Sequence, residues 1–150
     1  MQIAIGSDHG GYQLKCQIVE HLKTKGLHVV DFGTDSEASC DYPDYGYQVA
    51  KAVQSGQCDR GIVICGTGQG IMMSANKVKG IRCALLSDVF SAEMVAQHND
   101  ANMIAMGGRV LGVELAKRIV DAYLAAEFEG GRHARRVAKI TAIETNFDKE

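Results

Sequence analysis

No apolar run of the 150-residue sequence reaches membrane-spanning length, and the first six residues are not a basic flank leading into a hydrophobic stretch. These absences predict a cytoplasmic protein with no membrane partner. Charge of one sign is not concentrated either. The 16 basic and 18 acidic side chains leave a formal net charge of -2 and are scattered along most of the chain, which argues against a general nucleic-acid or membrane-surface binder. Any ligand should therefore be recognised locally. There is no Cys-x-x-Cys pair, and Cys16, Cys40, Cys58, Cys65 and Cys83 are odd in number and lie mostly in regularly patterned segments. That predicts reduced thiols rather than a disulfide framework. Linkers, internal repeats and low-complexity tracts are missing, and Pro43 is the only proline. With 46% of its residues apolar, the chain has enough material for one core, and a single domain over 1–150 is expected.

Short apolar runs alternate with longer segments of helical period: 2–6 then 10–25, 28–32 then 45–54, 61–65 then 70–79, 82–86 then 91–98, and 103–106 then 113–127. The run Gly61-Ile62-Val63-Ile64-Cys65 is apolar without alternation, as suits a parallel strand covered on both faces. The pattern predicts an α/β fold with a five-stranded parallel sheet and helices on both faces. Polar residues 35–44, with Pro43, read as a long loop beside the active site. A last helix over 132–145, after Gly130-Gly131, does not fit the alternation and is expected to pack on a partner subunit.

In an open parallel sheet, ligands bind at the carboxyl ends of the strands. Four segments therefore carry the chemistry. In Gly6-Ser7-Asp8-His9-Gly10-Gly11 a carboxylate and an imidazole leave the first strand together; Asp8 either faces a ligand or caps the first helix. Cys65-Gly66-Thr67-Gly68-Gln69-Gly70 follows the most apolar strand. Its alternate glycines let backbone amides converge on an anion, where a thiol is expected to titrate below its ordinary range. The alternative is a buried thiol beside a tight turn. It is not a Walker loop, because no Lys-Ser or Lys-Thr follows. In Gln97-His98-Asn99-Asp100-Ala101-Asn102, His98 either shuttles a proton or interacts with helix-end carbonyls. In Gly130-Gly131-Arg132-His133-Ala134-Arg135-Arg136, Arg132 and Arg136 share a helix face and either grip one phosphate or form a solvated basic surface.

These segments, in order and together with Asp41-Tyr42-Pro43 and Ala75-Asn76-Lys77, resemble the type B ribose-5-phosphate isomerase family. That family also includes galactose-6-phosphate isomerase subunits and allose-6-phosphate isomerase. The resemblance implies a Rossmann-like subunit, a homodimer or tetramer with active sites at subunit boundaries, and aldose-ketose isomerisation of a sugar phosphate without metal or organic cofactor. It implies Cys65 as the base moving the proton between C1 and C2, with Thr67 and the amides of residues 66–70 stabilising the enediolate. Asp8 and Tyr42 would hold sugar hydroxyls, and His9, Arg132 and Arg136 the phosphate. His98 and Asn99 would reach across the dimer boundary, His98 assisting ring opening, and Arg109 would join the phosphate site from that partner. One branch of the family uses a glutamate just after the glycine loop; Ile71 stands there, which leaves the cysteine route.

Three other readings compete. A cysteine phosphatase needs an arginine six residues after the cysteine, where Ile71 stands. A nucleotide-binding module would use Gly66, Gly68, Gly70 and Asp88, with one residue too few in the loop. A metal-dependent isomerase would draw on Asp8, His9, His98 and His133, none of which are paired at tight helical spacing.

Overall fold

Strands β1 (Gln2–Ser7), β2 (His28–Asp31), β3 (Arg60–Cys65), β4 (Cys83–Leu85) and β5 (Met103–Gly107) form one parallel sheet in the order β2-β1-β3-β5-β4. The structure is a computed structural model that describes residues 1–147. Each strand is followed by a helix: α1 (Tyr12–Thr24), α2 (Tyr42–Gln54), α3 (Gln69–Ala75), α4 (Val89–Asn99) and α5 (Val113–Ala125), with α6 (Arg132–Phe147) after α5. The architecture is α/β, as the alternation of apolar runs and helical periods predicts, and Rossmann-like, as the resemblance implies.

The strand period of two sorts the core into two layers. Ile3, Ile5, Ile62, Ile64, Ile104 and Met106 face one way and pack with Leu14, Ile18 and Leu22 of α1, Ala92 and Ala96 of α4, and Ile119, Val120 and Tyr123 of α5. Ala4, Val63, Cys65, Met103 and Ala105 face the other way, against Val49, Ala50 and Ala52 of α2 and Ile71 and Ala75 of α3. Because β1, β3 and β5 are covered on both sides, their polar positions are few. Strand order reverses between β1 and β3, so the crevice beyond their carboxyl ends is the natural place for a ligand.

Two boundaries differ from expectation. Helix α2 starts at Tyr42 rather than 45, with Pro43 in its first turn. A proline loses nothing there, since the first N–H groups of a helix have no intrahelical acceptor. The loop before it is correspondingly shorter. Helix α3 stops at Ala75 rather than 79 because the Asn76 side chain turns the chain into β4, donating to the Cys83 carbonyl and accepting from its N–H, both at 2.8 Å. Among the described residues, no helix is long and apolar enough to cross a membrane.

Candidate active site

Strands of a parallel sheet all end at one edge, and the helices that follow them run back and end at the other. That rule decides where each candidate side chain stands.

At the carboxyl edge, the turns after β1, β3 and β5 interlock. The Asp8 N–H donates to the Ile64 carbonyl at 3.3 Å, and Asp8 Oδ1 accepts from the Gly11 N–H at 3.1 Å. Asp8 thus braces the turn before α1 while remaining at the end of β1, 6% exposed. Gly11 has no room for a side chain: a Cβ would lie 2.4 Å from the Ile64 carbonyl oxygen. His9 Nδ1 accepts from the Cys40 N–H at 3.2 Å, which in the neutral ring leaves the proton on Nε2. Cys65 ends β3, and its Sγ accepts from the Gly68 N–H at 3.2 Å. The tight return of the loop uses a left-handed backbone at Gly68, φ 80°. Thr67 Oγ1 accepts from the Gln69 N–H at 3.4 Å. Tyr42 lies over Gly70, where a Cβ would come within 2.6 Å of the phenol ring.

The turn after β5 closes this edge. The Gly108 N–H donates to the Cys65 carbonyl at 2.8 Å and the Arg109 N–H to the Gly66 carbonyl at 3.0 Å. The Arg109 guanidinium rests over Gly66, so close that a Cβ there would meet its Nη1 at 3.4 Å. Asp8, His9, Tyr42, Cys65, Gly66, Thr67, Gly68, Gly70 and Arg109 of one chain are therefore neighbours.

His98, Asn99, Arg132 and Arg136 are elsewhere. Helix α4 ends at the amino edge, where the Arg82 guanidinium donates to the Asn99 and Asp100 carbonyls at 3.2 and 3.0 Å and the Arg82 carbonyl accepts from the Met103 N–H. Helix α5 also ends at that edge, so α6 begins there. The Glu129 N–H donates to the Gln97 carbonyl at 3.0 Å, and the His133 ring stacks on His98 with centroids 4.1 Å apart and planes 7° apart. Strand β3 separates the two edges by roughly 15 Å at about 3.3 Å per residue, beyond the reach of an imidazole.

Within one chain, then, Arg109 stands with Cys65, its guanidinium over Gly66, whereas Arg132 and Arg136 stand on the helix that starts beside the end of α4 and His98. The four side chains considered for a metal divide in the same way, with Asp8 and His9 at one edge and His98 and His133 at the other. Asp88 caps α4, accepting from the Ser91 N–H at 2.7 Å, and that bond holds its carboxyl below the ordinary range. It is committed to the helix rather than poised for a ribose.

Thiol environments differ. Burial pushes the Cys83 thiol up to about 12 and raises that of Cys58, leaving both as core hydrophobes. Sequence reasoning assigned no role to Glu129 and gave His133 none beyond a possible metal ligand. The nearest signal was the position of His133 inside the Gly130-Gly131-Arg132-His133 segment that carries the resemblance.

Residues 3–140 match the Ribose/Galactose Isomerase family model. The ribose-5-phosphate isomerase B of Escherichia coli is 55% identical, over 95% of this chain and 96% of that protein. The ribose-5-phosphate isomerase B structure from Clostridium thermocellum superposes with a TM-score of 0.97 at 58% identity, covering 98% of this chain and 99% of that one. The Mycoplasma genitalium enzyme, solved with bound ribulose-5-phosphate, does so with 0.91 at 46% identity, covering 96% of each chain. The edge that gathers Cys65 and its amide loop, together with a match running through nearly the whole sheet, shows that this chain belongs to the Ribose/Galactose Isomerase family.

Proposed function

We propose that the chain interconverts ribose 5-phosphate and ribulose 5-phosphate through a cis-enediolate, with Cys65 as the base and without metal or organic cofactor. The observation that carries this reading is the junction of β3 and α3: a thiol at the strand end, under a glycine loop whose Gly68 N–H lies 3.2 Å from the sulfur. Removing a proton beside a carbonyl is slow because charge builds on oxygen, and fixed amide donors stabilise that charge. Cys65 takes the C2 proton of the open-chain aldose, and the electron pair moves onto O1. Returning the proton to C1, with one proton passing from O2 to O1, completes the ketose. The amides of residues 66–70 and Thr67 stabilise the oxyanion, and Asp8 and Tyr42 hold hydroxyls.

The site is shared between two copies of the chain. His9 and Arg109 stand with Cys65, while the ring-opening His98, with Asn99, Arg132 and Arg136, comes from the partner. What supports this is the span of the sheet between Cys65 and His98, which no side chain bridges. Ile140 and Ile143 of α6, 47% and 59% exposed, offer the apolar surface by which that helix packs on the partner, as a dimer or a larger assembly.

Assaying the purified protein against ribose 5-phosphate, allose 6-phosphate and galactose 6-phosphate tests the substrate. Ribose 5-phosphate is expected to have the highest kcat/KM, and Cys65→Ala to abolish turnover while inorganic phosphate still binds. A preference for a six-carbon phosphate would overturn the substrate, and an active Cys65→Ala the mechanism.

A further inference from the structure

His133 is 6% exposed, and its Nε2 is buried without a hydrogen-bond partner. The Glu129 carboxylate lies 3.4 Å from that nitrogen. Its flat face lies on His98, 4.1 Å between centroids and 7° from coplanar. Ligand atoms of His98, Glu129 and His133 lie within 4.8 Å of one another, but face-to-face rings aim their in-plane lone pairs side by side rather than at a common point, which does not suit a metal. The arrangement suits a held ring. Glu129 is tied to the last turn of α4 by its bond to the Gln97 carbonyl, so the loop and α6 together fix His133, and His133 fixes the plane of His98.

We propose that His133 is a positioning residue for His98, clamping the imidazole by stacking so that a ring nitrogen of His98 meets the ring oxygen of a closed sugar. This rests on the ring-opening role assigned to His98 above. Two stacked imidazolium cations would repel each other, so one proton must be confined to one ring. Burial lowers the pKa of His133, and the neighbouring His98, Arg132 and Arg136 lower it further, against Glu129 alone. The buried ring is thereby held toward its neutral form, which suits a structural role beside a proton-transferring partner.

Ring opening has a kinetic signature that binding and folding do not share. An enzyme unable to open the sugar must wait for the spontaneously opened form, so its rate on ribose 5-phosphate stops rising as enzyme is added. For His133→Ala the rate is expected to reach such a ceiling, with the enzyme-dependent slope above it reduced about 10- to 100-fold, the scale of misplacing a catalytic group. His133→Phe, which keeps a flat ring to stack but cannot titrate, should retain a linear dependence within about threefold of wild type. A linear dependence in His133→Ala, or an equal ceiling in His133→Phe, would overturn the positioning role. His98→Asn run alongside separates the two readings. If it too stays linear, ring opening by His98 fails; if it reaches the ceiling and His133→Ala does not, only the inference about His133 fails.

Discussion

A mixture of two inactive variants should regain activity if, and only if, their lesions fall on opposite edges of the sheet. Cys65 ends β3 at the carboxyl edge, and His98 stands at the amino edge beside the start of β5, roughly 15 Å of strand away. Cys65→Ala and His98→Asn homodimers should each be nearly inactive, since general acid-base groups contribute about 100- to 10,000-fold. Unfolded, mixed in equal amounts and refolded, about half of the dimers are mixed. Each mixed dimer collects both lesions in one site and leaves the other intact, so activity should recover to about a quarter of wild type for a two-fold dimer. The arginines sharpen the test. Arg136→Ala, on the same α6 as His133, should complement Cys65→Ala to the same extent when assayed at low substrate. Arg109→Ala should not, because Arg109 rests over Gly66 of the chain that supplies Cys65. Recovery is read as initial rate, with heterodimers counted by native mass spectrometry. No recovery with His98→Asn despite heterodimers would refute the shared site; recovery with Arg109→Ala would refute the division of the arginines.

Lys15, 2% exposed, donates to Asp31 at 2.7 and 2.8 Å and to the Thr34 carbonyl at 2.6 Å. Lys15→Met strands that buried carbonyl, at about 1–3 kcal/mol, and adds a small loss from Asp31, which is 41% exposed and screened by solvent. Melting should occur about 2–12 °C lower at about 2–4 °C per kcal/mol, and an unchanged Tm would refute the clamp. Burial raises the Asp121 carboxyl, but hydrogen bonds from Lys25 and His21, both at 2.8 Å, outweigh it and hold the group below its ordinary range. A depressed folded value contributes stability present above the unfolded carboxylate value of about 3.9 and lost as pH falls through the folded one. Denaturant titrations from pH 6 to 2 should therefore show a shallower acid decline in Asp121→Asn than in wild type; parallel curves would remove Asp121 from the acid limb. On limited alkylation resolved by mass spectrometry, substrate should slow labelling of Cys65 at least about fivefold and leave the exposed Cys16 unaffected. Equal protection of both would count against Cys65 facing substrate.

Much of the fold is legible in the sequence because its signals are local. The runs at 2–6, 28–32, 61–65 and 103–106 mark strands by composition, and the helices between them by their period of 3.6. The direction of a parallel sheet then puts Asp8, Cys65 and the glycine loop at one edge. Boundaries were less secure: Tyr42 and Pro43 begin α2 because a helix start tolerates proline, whereas the polar run around them reads as loop. Where segments meet in space is another matter. Residues 97–102 read as the third of four chemistry-bearing segments counted together with the strand ends, yet helix α4 reverses direction and carries His98 to the far edge. Arg109 lies beside Gly66 because the β5 turn folds over the β3 turn, a contact between residues 43 positions apart that no periodicity encodes. The stacking of His133 on His98 depends likewise on how α6 docks on α4. The sequence by itself determined the alternation of elements and the chemistry offered at each turn; tertiary structure decided which turns share an edge, because that depends on the reversal of chain direction and on packing between distant segments.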